Sequence, residues 1–99
     1  MGVSGITSYE EFRRRLIEAL PISFDLAQKY PEGATRAVHE QLHMLEEWTR
    51  DGTEPTPSQK SSLSFGLIAS RYIDDLDQSL AQELYALASY LIWGENGRQ

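Results

Sequence analysis

Between Ser61 and Trp93 the chain carries two consecutive helical patterns, SSLSFGLIASRYIDD and QSLAQELYALASYLIW, whose long middle sections hold almost no charge. On the first, Leu63, Gly66, Leu67 and Ser70 fall on one side at helical spacing. Phe65, Ile68 and Tyr72 fall nearly opposite. A helix that is apolar on two sides needs two neighbours. The second pattern carries Leu80, Leu84, Leu87 and Leu91 as a stripe, which Tyr85, Ala88 and Ile92 widen, with Tyr90 and Trp93 further round. Such a hairpin predicts the centre of a small all-α domain, or a surface that a partner partly covers.

The remaining segments supply the other helices. Ser8 followed by Glu11 fits a capping box and places a helix start at Tyr9. Phe12, Leu16, Leu20, Phe24 and Ala27 then continue a stripe across Pro21, which predicts one kinked helix ending near Lys29. Tyr30-Pro31-Glu32-Gly33 stops it, because a residue before proline is pushed out of the helical region. A second helix is expected from about Ala34 to Arg50, with Ala34, Val38, Leu42, Leu45 and Trp48 as its apolar face. Its other face is Arg36, His39, Glu40, His43, Glu47 and Arg50. Asp51 to Pro57 is a connection, and Thr56, Pro57 and Gln59 together start a third helix that reaches Leu76. Asp77 caps the fourth, and Gly94 ends it. Residues 1–99 thus read as one bundle of four helices, the third and fourth central, with 1–7 and 95–99 loosely ordered. The expected core is Leu16, Leu20, Val38, Leu42, Leu45, Leu63, Leu67, Leu80, Leu84, Leu87 and Leu91. Ser62, Gly66 and Ser70 form a small-residue strip that lets another helix approach closely.

At 99 residues there is room for one core and no separate catalytic domain. A net charge of −6 argues against binding a phosphate backbone or an anionic membrane, and a basic protein partner is the natural complement. The absence of cysteine excludes disulfides, thiolate nucleophiles and zinc–thiolate sites. No apolar run has membrane-spanning length, and MGVSGITSYEEF lacks the basic n-region of an export signal, so a cytoplasmic location is expected.

One motif has a catalytic look. His39-Glu40-Gln41-Leu42-His43 spells H-E-x-x-H on a helix, the zinc metalloprotease signature. These are the chain's two histidines, so a third ligand would have to be a carboxylate, and no strand pattern offers a substrate-holding edge. By the 100°-per-residue turn both rings face away from the apolar stripe. Solvent-facing histidines, with no metal and no catalytic residue, are the favoured reading. A small zinc-dependent hydrolase is kept as the lesser alternative. Arg13, Arg14 and Arg15 are surrounded by Glu10, Glu11 and Glu18 and read as a solvated ion-paired face. Asp74, Asp75 and Asp77 lack the spacing of a calcium loop, and one of them is needed as a cap.

At Tyr30-Pro31, Glu40-Gln41-Leu42, Leu63-x-x-Gly66-x-Ile68-Ala69 and Asp74 to Leu80, the chain resembles the small helical immunity proteins that protect bacteria from NAD(P)-glycohydrolase toxins delivered by type VI secretion. The agreement runs in order from about Tyr30 to Tyr90, while Pro21 and both histidines lie outside the pattern. The resemblance implies a cytosolic bacterial protein without cofactors or catalytic residues, which binds a toxin domain and blocks its active-site cleft. Such a cleft binds an anionic dinucleotide and can present positive potential that steers an acidic inhibitor. From charge, the expected partner-binding residues are Tyr72, Asp74, Asp75, Asp77, Glu83 and Tyr85. The segment from Tyr72 to Trp93 contains no basic residue. A rival face comprises His39, Glu40, His43, Glu46 and Glu47. The alternative binding module is an adaptor or chaperone that shields an apolar helix in a groove made by Phe65, Ile68 and Tyr72.

Overall fold

Helix α1 (Tyr9–Lys29) begins where the Ser8 hydroxyl accepts the Glu11 backbone N–H at 3.1 Å. The computed structural model describes residues 6–31 and 33–93, with only the backbone of Trp93; the expectations about residues 1–5, Glu32 and 94–99 lie outside the described residues. Only half of the capping box forms. The Glu11 carboxylate takes the Thr7 N–H, at 3.2 Å, instead of reaching back to Ser8. One helix runs through Pro21, as the phase of its stripe requires. Its buried face is Phe12, Leu16, Ala19, Ser23, Leu26 and Ala27, whereas Phe24 is half exposed. Repeated steps of four residues advance about 40° each, so a stripe of 12, 16, 20 and 24 walks off the core face. Steps of four and three keep it there. Ile6, ahead of the helix, is also buried in the core.

Helix α2 (Gly33–Thr49) returns antiparallel to α1 after a tight link. The link is closed at both ends: Tyr30 N–H donates to Leu26 O at 2.8 Å, and the buried Thr35 hydroxyl donates to Tyr30 O. Val38, Leu42 and Leu45 form the apolar seam, with Trp48 packed at its margin. Beyond Thr49 the chain turns at Gly52, whose φ of 90° is a backbone conformation that glycine adopts without steric cost. Tyr9 ties this turn down, its hydroxyl lying 2.8 Å from Thr49 O and 3.2 Å from Thr53 O.

The third helix is not continuous. It is divided into α3 (Pro57–Ser61), α4 (Phe65–Ile68), a π-helical segment (Ala69–Ile73) and α5 (Asp74–Leu76), and α6 (Gln78–Trp93) follows. The break after α3 has a local cause. Ser61 and Ser62 hydroxyls donate to the carbonyls of Ser58 and Gln59, at 3.0 and 2.7 Å, and so compete with the helical ladder. The Gln41 side chain then holds Ser64 from α2: its Oε1 accepts the Ser64 N–H at 2.7 Å and its Nε2 donates to Ser64 Oγ at 3.0 Å. α4 restarts immediately after it, at Phe65.

From Phe65 to Leu76 the rod is helical throughout, but Asp74 N–H bonds to Ala69 O, five residues back. That wide turn inserts one extra residue and rotates everything after it by about 100°. Phe65, Ala69 and Ile73 therefore share the buried face. In an uninterrupted α-helix Tyr72 would have taken the place of Ile73. The predicted pairing of Phe65 with Tyr72 is thus overturned, since Tyr72 is 53% exposed. Leu67, expected in the core, is 57% exposed. Of the small-residue strip only Gly66 makes a close approach: a Cβ built there would lie 3.0 Å from Ala88 Cβ on α6, while Ser62 and Ser70 are exposed.

The fold is all-α, without strands among the described residues, and the four principal helices close into a ring. α1 packs on α2, α2 on the α4–α5 rod, the rod on α6, and α6 back on α1. The third and fourth helices thus each have the two neighbours that their two-sided apolar patterns demand. Leu16, Val38, Leu42, Leu45, Leu80, Leu84 and Leu87 are fully buried, and Leu20, Leu63 and Leu91 pack against them from the margin. Phe12 stacks on Tyr90 with ring centroids 4.8 Å apart, joining α1 to the far end of α6.

Candidate functional site

The acidic corner between α5 and α6 divides into residues that build the fold and residues that face outward. Asp77 belongs to the first group: its Oδ1 accepts the Leu80 N–H at 3.0 Å, capping α6. Glu83 does too. Its carboxylate grips the Arg15 guanidinium through two bonds of 2.6 and 3.0 Å, with Glu11 3.5 Å away on the other side of Arg15. This bidentate pair fastens α1 to α6, and the Glu83 hydrogen bond pushes the Arg15 pKa up. Tyr85 is part-buried against the core.

Tyr72, Asp74 and Asp75 remain, all three exposed. The π-turn positions them, because it sends Ile73 inward and Tyr72 outward. Neither aspartate's carboxylate has an ion-pair or hydrogen-bond partner among the described residues. An aromatic ring beside two unpaired carboxylates is a surface able to dock a basic partner. Of the six residues expected here, the structure places these three together at the surface and gives Asp77, Glu83 and Tyr85 internal work.

On the rival face most groups are satisfied within the chain. Glu46 is only 9% exposed and sits in a double clamp: Arg50 donates to it at 2.6 and 3.1 Å, and Arg13 at 3.3 Å. The Arg50 hydrogen bond, outweighing burial and helped by Arg13, holds the Glu46 carboxyl below the usual carboxylate range. Arg13 also donates to Glu46 O and Thr49 Oγ1, both at 3.1 Å, where α2 runs out of backbone donors. Arg13 and Arg15 are therefore interhelix fasteners, which corrects the reading of the arginine triplet as a solvated face. Only Arg14, 3.3 Å from Glu18, is exposed.

His39 is the second correction on this face. It is half-buried against α1, with Nδ1 2.9 Å from Ser23 Oγ and its ring edge-on to Phe24 at 5.5 Å. The core stripe of α2 is centred closer to the histidines than the apolar residues alone suggest, because Thr35, Glu46 and Thr49 are buried too. His43 and Glu47 are exposed and 3.6 Å apart, and Glu40 is exposed. Among the described residues no group of three or more histidines and carboxylates is gathered to hold a metal ion.

The interhelix roles of Arg13, Arg15 and Ser23 have no signal in local sequence, since each partner is 16 to 68 positions away. The groove expected from Phe65, Ile68 and Tyr72 does not form, as Phe65 is buried and Tyr72 points away. A different groove of about 440 Å³ lies between α3, α4 and α6, lined by Lys60, Leu63, Gly66, Ala88, Leu91 and Ile92. No helix is long and apolar enough to cross a membrane among the described residues.

Comparison with known proteins places this scaffold. No curated protein and no solved structure matches the chain. The Tsi6 family model matches residues 10–92, from the first turn of α1 to the last turn of α6. The chain belongs to the Tsi6 family, a family of type VI immunity proteins.

Proposed function

We propose that this protein is the intracellular antidote to one toxin delivered by type VI secretion, and that it acts by binding the toxin domain and covering its active site. Family membership over residues 10–92 is the observation that carries the reading. The bacterial cytoplasm is where such a toxin would have to be stopped. The chemistry proposed for the toxin is NAD(P) glycohydrolysis, supported by the resemblance around Leu63 to Ala69 and Asp74 to Leu80. A cleft that binds an anionic dinucleotide suits a protein of net charge −6, which would be steered to it and compete with substrate phosphates.

The face proposed for this contact is Tyr72, Asp74 and Asp75. Two considerations favour it over the α2 face. Among the described residues its carboxylates have no cation to give up on binding, whereas withdrawing Glu46 from Arg13 and Arg50 would leave buried charge unpaired. Tyr72 adds the rigid aromatic contact that interface centres favour.

The test uses the toxin domain of a type VI effector gene sought next to the gene for this protein. Cells expressing that domain alone should stop growing and lose NAD(P)+. Co-expression of this protein should restore both growth and the dinucleotide pool, and the two proteins should co-purify. Restored growth with an NAD(P)+ pool the toxin never depleted would keep the immunity role and discard the glycohydrolase assignment. Co-purification without protection would favour an adaptor.

A further inference from the structure

His39 and His43 stand one turn apart on α2, with ring centroids 6.4 Å apart. The Ser23 hydroxyl lies 2.9 Å from the Leu20 carbonyl, to which it donates, and 2.9 Å from His39 Nδ1. A hydroxyl has one proton. With that proton committed to Leu20 O, Ser23 Oγ accepts from His39 Nδ1–H, which leaves the lone pair of the neutral ring on Nε2. Phe24 packs edge-on against the same ring and fixes its plane. On His43 the Glu47 carboxylate lies 3.6 Å from Nδ1, so it faces the ring nitrogen opposite Nε2.

We propose that His39 and His43 form a two-histidine chelate, through both Nε2 atoms, for a late first-row divalent cation such as Zn2+, Ni2+ or Cu2+. Imidazole nitrogen suits these ions. Ring nitrogens bound at about 2.0–2.1 Å to one ion bring the two centroids to roughly 5 Å, a closure that rotation of the exposed His43 side chain supplies. Ser23 and Glu47 then act as positioning residues, each holding the opposite nitrogen of a ligand ring. No third side-chain donor is gathered among the described residues, so water fills the remaining positions. The site is separate from the proposed Tyr72 face and does not depend on it.

The chain has no cysteine and no third histidine, so titration of the full, tag-free protein with ZnCl2 or NiCl2 reports on this pair. Calorimetry at neutral pH should give one ion per chain. His43→Ala, at an exposed position, should fold as the parent and weaken binding roughly 100-fold by removing the second tooth of the chelate. Ser23→Ala should weaken it about tenfold, and nitrogen NMR of the metal-free parent should show His39 protonated on Nδ1. Absence of saturable one-to-one binding, or His43→Ala binding as tightly as the parent, would overturn the site. An Nε2–H tautomer at His39 would remove its basis.

Discussion

The Glu46 clamp makes a pH prediction with a definite sign. Its folded-state pKa is depressed, so the stabilisation is fully present above the unfolded carboxyl value of about 4.3 and is lost as pH falls through the folded value. Thermal melts of the parent should therefore lose Tm more steeply than those of Glu46→Gln as pH falls from about 5 to 3. The lowered Glu11 and Asp51 carboxyls remain in both proteins and cancel in the comparison. Parallel curves would mean that the clamp adds nothing. At Gly66 the prediction is steric. Gly66→Leu forces a side chain against Ala88 and should cost about 1–3 kcal/mol in denaturant melts, partly recovered when Ala88→Gly is added. The need for a small residue at Gly66 was legible in the sequence. Its partner Ala88 was not, because one small residue carries no address for its neighbour.

At the scale of elements, caps and periodicity located α1, α2 and α6 to within a residue or two of the structure. The rod between them was misread for a physical reason. A π-turn leaves no mark in composition, yet it exchanges Tyr72 for Ile73 at the core and so decides which aromatic ring meets solvent. Deleting Ser70, an exposed residue inside the wide turn, should return the rod to regular α geometry. Phe65, Ala69 and Ile73 would then be spaced by four and three residues and stay in phase. Helical circular dichroism and cooperative melting are expected to survive the deletion. Unfolding would show that the core does not depend on the phase assigned here. Likewise the start of α4 at Ser64 is held by Gln41, twenty-three residues away, which no local pattern reveals.

Over the whole molecule, the charged residues sort into two populations that sequence alone could not separate. Arg13, Arg15, Glu46 and Glu83 fasten α1 to α2 and to α6, whereas the Asp74 and Asp75 carboxylates have no such partner among the described residues. Net charge was visible from the start, and the immunity family was legible in short motifs. The division of labour among acids required the three-dimensional pairing. It also changes how the rival face is probed, since reversing Glu46 would break the clamp and confuse binding with unfolding. Glu40 and Glu47 are the fair comparison there, both being exposed.

Association kinetics with the cognate toxin domain test the central claim most directly, measured across a range of salt concentrations for two charge-reversed variants. Asp74→Lys with Asp75→Lys should slow association, with the deficit shrinking as salt screens the attraction and Tm staying close to that of the parent. Glu40→Lys with Glu47→Lys should associate at nearly the parental rate. If instead the first variant associates and protects cells as the parent does while the second does not, the toxin docks on α2 and the Tyr72 face is not the binding surface.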